Sequence, residues 1–306
     1  MTRNRRAAVA ALTAAGVLWG TTVPLSKLAL EWLPPAWLAF LRLGLAAAIL
    51  LVAGRSGLRD AFRPAILAWG ALGYGGTLVL QNAGIVATSV SHAALLIGAT
   101  PVLIAIIAAL WQRTVARPLA WAGFVVSLAG VGLVAAGPGG SATLGGDGLV
   151  LASLVLSASF TVAQNRLLAG RDPVSVTAVQ FLAAAVLTAP VAMATAPAPG
   201  SPPGSGPVLA VAGLIVGGTV LPFTLFAYGQ SRMPAHLAGA FLNLEPLVGA
   251  LAGALFFADP LGLPQLAGAA AILGGIGLSS WRPRLPRLAP RLAPRPRPAP
   301  AAGRAG

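Results

Sequence analysis

Glu245 is a carboxylate placed where water is scarce. It lies about 12 residues, or roughly 18 Å at helical rise, from either end of the apolar stretch 233–257. At hydrocarbon depth an ionisable group costs about 2.5–3.5 kcal/mol on insertion scales, so its chemistry there is to exchange a proton or to meet a cation. The next residue, Pro246, has no N–H, which leaves the Leu242 carbonyl without its helical donor and open to water or a solute. Pro101 frees the Ile97 carbonyl in the same way within the stretch 90–112. A second reading of Glu245 stands beside the first: an internal hydrogen bond that pins its helix. Arg42 lies about 7 residues, near 10 Å, inside the stretch 35–53. It either snorkels to the interface or, facing inward, grips a carboxylate with two parallel N–H bonds. Lys27, one helical turn before Glu31, is accounted for by snorkelling and an exposed ion pair.

Trp19, Gln81, Asn82, Tyr228 and Asn243, together with Thr22, Ser157 and Thr161, extend the polar inventory of the apolar stretches. Hydroxyls and amides at such depth ordinarily tie helices together. Trp19 is mid-stretch, away from the interface belt that explains most membrane tryptophans, and is expected in the wall of an interior cavity. The chain has no Cys and only two His, His92 and His236, with no HExxH spacing, so no metal site is indicated. A Gly-rich phosphate loop is absent too, which leaves no cofactor to propose and makes gradients the energy source for any solute movement. One isolated acid does not make a catalytic constellation, so an enzyme is not the reading.

A membrane must position these residues. The chain is 57% hydrophobic and 8% charged, against about 25% charged in soluble domains. Its apolar stretches are about 20 residues long, the length of a spanning helix and twice that of a barrel strand. Ten spans are expected: 7–30, 35–53, 64–86, 90–112, 118–137, 148–168, 174–196, 207–230, 233–257 and 262–281. Arg3, Arg5 and Arg6 precede an apolar run reaching about Leu30, too long for the core of a cleaved signal peptide. The net charge of +14 does not point to nucleic acid, because the bases sit between spans and in the tail 282–306.

Those bases alternate with the spans. Arg3, Arg5 and Arg6, then Arg55, Arg59 and Arg63, then Arg113 and Arg117, Arg166 and Arg171, Arg232 and the tail all fall on one side; Glu31, Asp147 and Asp259 fall on the other. The positive-inside rule puts both termini in the cytoplasm of a multi-pass protein of the cell membrane. The sequence also repeats. Pro101 and Pro246, Gly84 and Gly229, Ala122–Gly123 and Ala267–Gly268, and Gly130/Gly132 and Gly275/Gly277 all match 145 residues apart. Earlier spans match near 138, pairing Pro35 with Pro173 and Trp37–Arg42 with Ser175–Gln180. Five spans per copy is odd, so the second copy is inverted. The fold class is therefore all-α integral membrane, ten transmembrane helices as two inverted five-helix repeats, 1–137 and 138–281. The Gly130/Gly132 and Gly275/Gly277 pairs are expected to carry close helix packing. The Pro/Arg-rich tail cannot build a core; it is expected to be disordered and to touch anionic lipids or simply fix topology.

Leu18-Trp-Gly-Thr-Thr-Val-Pro24 with Lys27, Phe40-Leu-Arg42, Ser91-His-Ala-Ala-Leu-Leu-Ile-Gly-Ala-Thr-Pro101 and Leu242-Asn-Leu-Glu-Pro246 followed by Asp259-Pro260 and Gly268 resemble the EamA-type family of the drug/metabolite transporter superfamily. The resemblance covers about residues 10–281. It implies two inverted five-helix repeats around a solute pathway, and a family whose described members mostly export amino acids and other small metabolites. Where the family often closes its fourth span with an acid, this chain has Thr114 beside Arg113. The reading is an alternating-access secondary transporter, an exporter of a small metabolite with Glu245 open to proton coupling. An importer of the same fold and a non-transporting sensor or scaffold are the alternatives. Its partners are a small solute and the lipid bilayer.

Overall fold

Run after run of apolar residues leaves the helix as the backbone form that satisfies its own hydrogen bonds in lipid. The computed structural model describes residues 3–87, 96, 100–113, 115–135, 143–245, 247–248 and 262–280. Pro246, His92, Thr114, Asp259 and the tail lie outside them, as do the side chains of Lys27 and Asn82. The described residues form α-helices with short 3-10 and π segments and no strand.

In chain order the helices are α1 (Arg3–Gly20), α2 (Thr22–Leu30), α3 (Pro35–Ala53), α4 (Leu58–Ala61), α5 (Pro64–Gly70), α6 (Thr77–Ala87) and α7 (Thr100–Gln112). They continue with α8 (Pro118–Ala135), α9 (Leu144–Leu167), α10 (Pro173–Thr195), α11 (Ser205–Ile215), α12 (Leu221–Gln230), α13 (Ala235–Gly239) and α14 (Leu263–Ser280). Helix α3, α9, α10 and the continuous segment Ser205–Gln230 are each long and apolar enough to cross a membrane, and α7, α8 and α14 hold shorter apolar stretches. Val52, Leu110, Val125, Val186, Met193 and Leu209 are each more than half exposed. An apolar surface of that extent suits acyl chains, not water.

Among the described residues four expected spans are not uniform helices, the span 233–257 holding the 3-10 segment Ala240–Asn243. The span 7–30 breaks between α1 and α2, where Thr21 and Thr22 turn their hydroxyls back to the Leu18 and Trp19 carbonyls at 2.7 and 2.6 Å. Pro24 adds to the break, because it has no N–H to offer the Gly20 carbonyl. The spans 64–86 and 207–230 each contain a π segment, Ala71–Gly76 and Val216–Val220. These segments begin 145 residues apart, the separation at which the sequence repeats.

Helix α8 packs along α14, α3 along α10, α6 along α9, and α1 along α12. The α8–α14 contact is reciprocal. Ser127 Oγ donates to the Ile272 carbonyl at 3.3 Å across a separation of 145 residues. On one side a Cβ at Gly130 would stand 2.7 Å from the Gly268 carbonyl; on the other, Gly123 meets the Gly275 carbonyl as closely. The close contacts are thus Gly123 and Gly130 against Gly268 and Gly275: of the expected Gly130/Gly132 and Gly275/Gly277 pairs, Gly130 and Gly275 pack and Gly277 does not. Two residues along a helix turn about 200°, so Gly277 faces open space, whereas a seven-residue step returns to the same face. Helices α3 and α10 are tied near both of their ends. Trp37 Nε1 donates to the Ala196 carbonyl at 3.1 Å, and Ser175 Oγ donates to the Gly54 carbonyl at 2.7 Å.

The connections sort to two ends. At one, Trp32 Nε1 reaches the Gly200 carbonyl in the loop after α10. At the other, Arg171 donates to the Asp60 carbonyl, and Asn165 donates to the Gln230 and Met233 carbonyls.

Candidate functional site

The site begins with a helix that loses its regular winding. In Val216–Val220 the Leu221 N–H donates to the Val216 carbonyl, five residues back. Pro222 has no N–H for the Gly218 carbonyl, which an α-helix would pair with residue 222. Arg42, reaching from α3, supplies the donor: its Nη2 donates to the Gly218 carbonyl at 3.3 Å and its Nε to Thr219 Oγ1 at 3.1 Å. Thr219 in turn donates to the Leu214 carbonyl at 2.8 Å. π-type turns concentrate at functional sites because they expose backbone groups a regular helix would consume.

Arg42 is half-buried and lines an interior cavity of about 160 Å³. Around it stand Leu30, Leu38, Ala39, Leu43, Leu78, Thr219 and Phe223. The cavity runs from the end of the bundle that carries Leu30 and Pro35 down to Phe223. Of the two readings of Arg42, the inward-facing one is the geometry found.

Glu245 lies outside that lining, on a segment packed against α1. Residues Ala240–Asn243 wind as a 3-10 helix just before it, the tightening that a following proline invites by removing an α-type donor. α1 crosses this segment at two glycines. A Cβ on Gly16 would stand 2.7 Å from the Phe241 carbonyl, and one on Gly20 would stand 2.9 Å from the Glu245 carbonyl and run into Val248. The break at Gly20–Thr21 is thus laid directly on the Glu245 backbone. The Glu245 side chain is half-buried, and it and Arg42 interact electrostatically across the interior without forming a contact ion pair. Thr22 completes the connection, since its Cγ2 lies against Gly218 beside the Arg42 guanidinium.

Below Phe223 the interior is closed by rings. Trp19 meets Phe223 and Phe226 edge-on at 4.9 and 5.2 Å, and Tyr74 meets Phe160, Phe181 and Phe223 at 4.7, 5.0 and 5.0 Å. Each such pair is worth about 0.5–1.5 kcal/mol beyond its buried area. Trp19 is buried within this group, and Phe223 belongs to both the cavity and the rings.

The other expected residues fall elsewhere. Asn243 is buried in the 3-10 turn beside Glu245, Gln81 is half-buried in α6, and Pro101 is buried in the first turn of α7. Tyr228 lies under the Arg232 guanidinium, 3.6 Å from ring centre to carbon, at the arginine-bearing end. Pro246 lies outside the described residues. Sequence reasoning missed Gly218, Thr219, Phe223 and Tyr74. The signal for the first two was present in Gly217-Gly218-Thr219 followed by Pro222, a proline whose missing N–H orphans a glycine carbonyl. It also missed the fully buried pair Gln164 and Gln180, whose amides donate to each other at 2.9 and 2.7 Å. Gln180 is the residue that the 138-residue match sets opposite Arg42.

Comparison with known proteins agrees with this architecture. The EamA-like transporter family matches the chain twice, over residues 6–136 and 144–281. A protein of Archaeoglobus fulgidus named an uncharacterized transporter is 28% identical over 266 residues, covering 84% of this chain and 93% of its own. A second protein of that organism, also named an uncharacterized transporter, is 41% identical over 70 residues, 23% of this chain and 26% of its own. A crystal structure of a protein sharing 24% identity superposes with a TM-score of 0.80 over 89% of this chain and 96% of its own, a likeness of fold.

Proposed function

We propose a function from one established premise: this chain belongs to the EamA-like transporter family and is a multi-pass membrane protein. It is a secondary transporter that exports a small metabolite or amino-acid-like solute by alternating access, with Glu245 as the proton-exchanging group. The observation that carries this reading is that two half-buried ionisable residues, Arg42 and Glu245, lie within electrostatic reach of each other inside the bundle. Intramembrane charges of this kind mark solute and proton pathways.

Ten spans in two inverted repeats are the architecture this reading needs. Support comes from the double family match, the π segments 145 residues apart, and the reciprocal α8–α14 contact. Reciprocal contact, residue i with j and j's equivalent with i's, is the mark of a two-fold relation. The cavity reaches the Leu30–Pro35 end, and the ring contacts of Tyr74 with Phe160, Phe181 and Phe223 lie on its far side, beyond Phe223; we read the first as the open end and the second as a closure. With the arginine-rich side cytoplasmic, as the positive-inside rule assigns it, this is an outward-open conformer with an aromatic cytoplasmic closure. The basic tail holds to anionic lipid on that same side.

The test is counterflow in proteoliposomes over a pH series. Glu245→Gln keeps the size of the side chain and removes its proton chemistry, so flux is expected to lose its pH dependence. Wild-type flux with wild-type pH dependence in Glu245→Gln would remove Glu245 from the coupling.

A further inference from the structure

The geometry points to an anion subsite at Arg42, built on the π turn of residues 216–220, that takes the carboxylate of a small organic acid or zwitterion. This subsite deepens the transport reading and rests on it. Arg42 has five N–H donors and commits two, one to Thr219 Oγ1 and one to the Gly218 carbonyl. Both acceptors are neutral. They aim the guanidinium but carry no charge, and Glu245, the acid that acts on Arg42, does so from beyond contact distance, so the contact position of an anion is unfilled among the described residues. A cation held inside a membrane protein in that state calls for an anionic partner. Arg42 lines the cavity, and a guanidinium carries its donors in a planar fork that fits a carboxylate.

The lining says what the rest of the ligand must be. Leu30, Leu38, Ala39, Leu43, Leu78 and Phe223 offer carbon only, so the body attached to the carboxylate is apolar. A volume of about 160 Å³ is well below the 300–1,000 Å³ of sites for drug-sized ligands, which limits that body to a short chain or a single ring. Pro222 is a positioning residue here. By denying the Gly218 carbonyl a backbone donor, it keeps that acceptor for Arg42.

The experiment measures binding to purified protein by thermal shift, using four probes of one shape: isovalerate, isovaleramide, isopentylamine and leucine. Isovalerate and leucine are expected to stabilise the wild type, and the neutral amide and the amine to do so far less. Arg42→Gln is expected to weaken isovalerate on the order of 100-fold, the range for removing one partner of a buried charge pair. Pro222→Ala leaves Arg42 in place; it is expected to weaken isovalerate about tenfold and to leave isovaleramide unchanged, a pattern that general misfolding does not give. Phosphatidylglycerol added to the micelles is expected not to compete, and competition would reassign Arg42 to a lipid phosphate. Equal binding of amide and acid, unchanged isovalerate affinity in both variants, or no stabilisation by any probe at high millimolar concentration each overturns the subsite. Carboxylate binding without flux of any carboxylate would leave the subsite standing and sink the transport reading. Flux of uncharged solutes indifferent to Arg42→Gln would do the reverse.

Discussion

Gly20→Ala is the smallest perturbation that reaches the site, and its outcome can be worked from contacts. The added methyl carbon would stand 2.9 Å from the Glu245 carbonyl oxygen and inside the normal contact distance of Val248. One obstacle is backbone and the other a β-branched carbon, so neither can rotate away. Two terms oppose each other. Alanine is favoured over glycine in a helix by about 1 kcal/mol, whereas forcing a methyl into a packed contact costs about 1–3 kcal/mol. The packing term wins, for a net loss of about 1 kcal/mol and a melting temperature lower by a few degrees. The functional effect should be larger than the loss of stability. The segment carrying Glu245 must retreat by roughly an ångström, a misplacement that at reacting centres costs up to about 100-fold. Proteoliposome flux in Gly20→Ala is therefore expected to fall about tenfold or more while the protein still inserts and melts cooperatively. Gly277→Ala is the matched control, because a Cβ there meets nothing within 4 Å. Its flux should be unchanged and its stability unchanged or raised. Wild-type flux in Gly20→Ala, or equal damage from Gly277→Ala, would show that α1 does not hold the Glu245 segment by close packing.

Two further outcomes follow from the same contacts. Gln164→Leu should destabilise by about 1–3 kcal/mol because it strands the Gln180 amide, while Gln164→Leu with Gln180→Leu should come back close to wild type; additive losses in a double-mutant cycle of melting temperatures would refute the reciprocal pair. The chain has no native Cys, so Gly200→Cys and Ser231→Cys can be labelled singly in oriented vesicles; an impermeant maleimide should reach Gly200→Cys only from outside and Ser231→Cys only from inside, and labelling of both from one face would overturn the assigned topology.

Position along an apolar stretch was legible in the sequence, and facing was not. The position of Glu245 near the middle of 233–257 follows from counting residues at 1.5 Å each, and neither neighbours nor rotation enter. Pro246 predicts disturbed winding by the same local logic, and the 3-10 turn Ala240–Asn243 appears where it should. The break at Gly20–Thr21 and the π turn before Pro222 were equally local, written in prolines and threonines, and were passed over because hydropathy reads straight through them.

The sequence by itself determined that this is a helical membrane protein, that stretches of it recur 145 residues apart, and where its ionisable groups fall along the apolar stretches. These are one-dimensional properties, set by apolar length, residue identity and rise per residue. The tertiary structure alone decided that Arg42 faces a cavity, that Gly218 and Thr219 hold it, and that Gly123 and Gly275, not Gly277, form a packing face. Those outcomes depend on how each helix is rotated about its axis. Rotation is set by partners far away in the chain, 177 residues away for Arg42 and Thr219. Arg42 had two acceptable fates in a lone helix, the interface or the interior. A carbonyl orphaned by Pro222 on another helix chose between them.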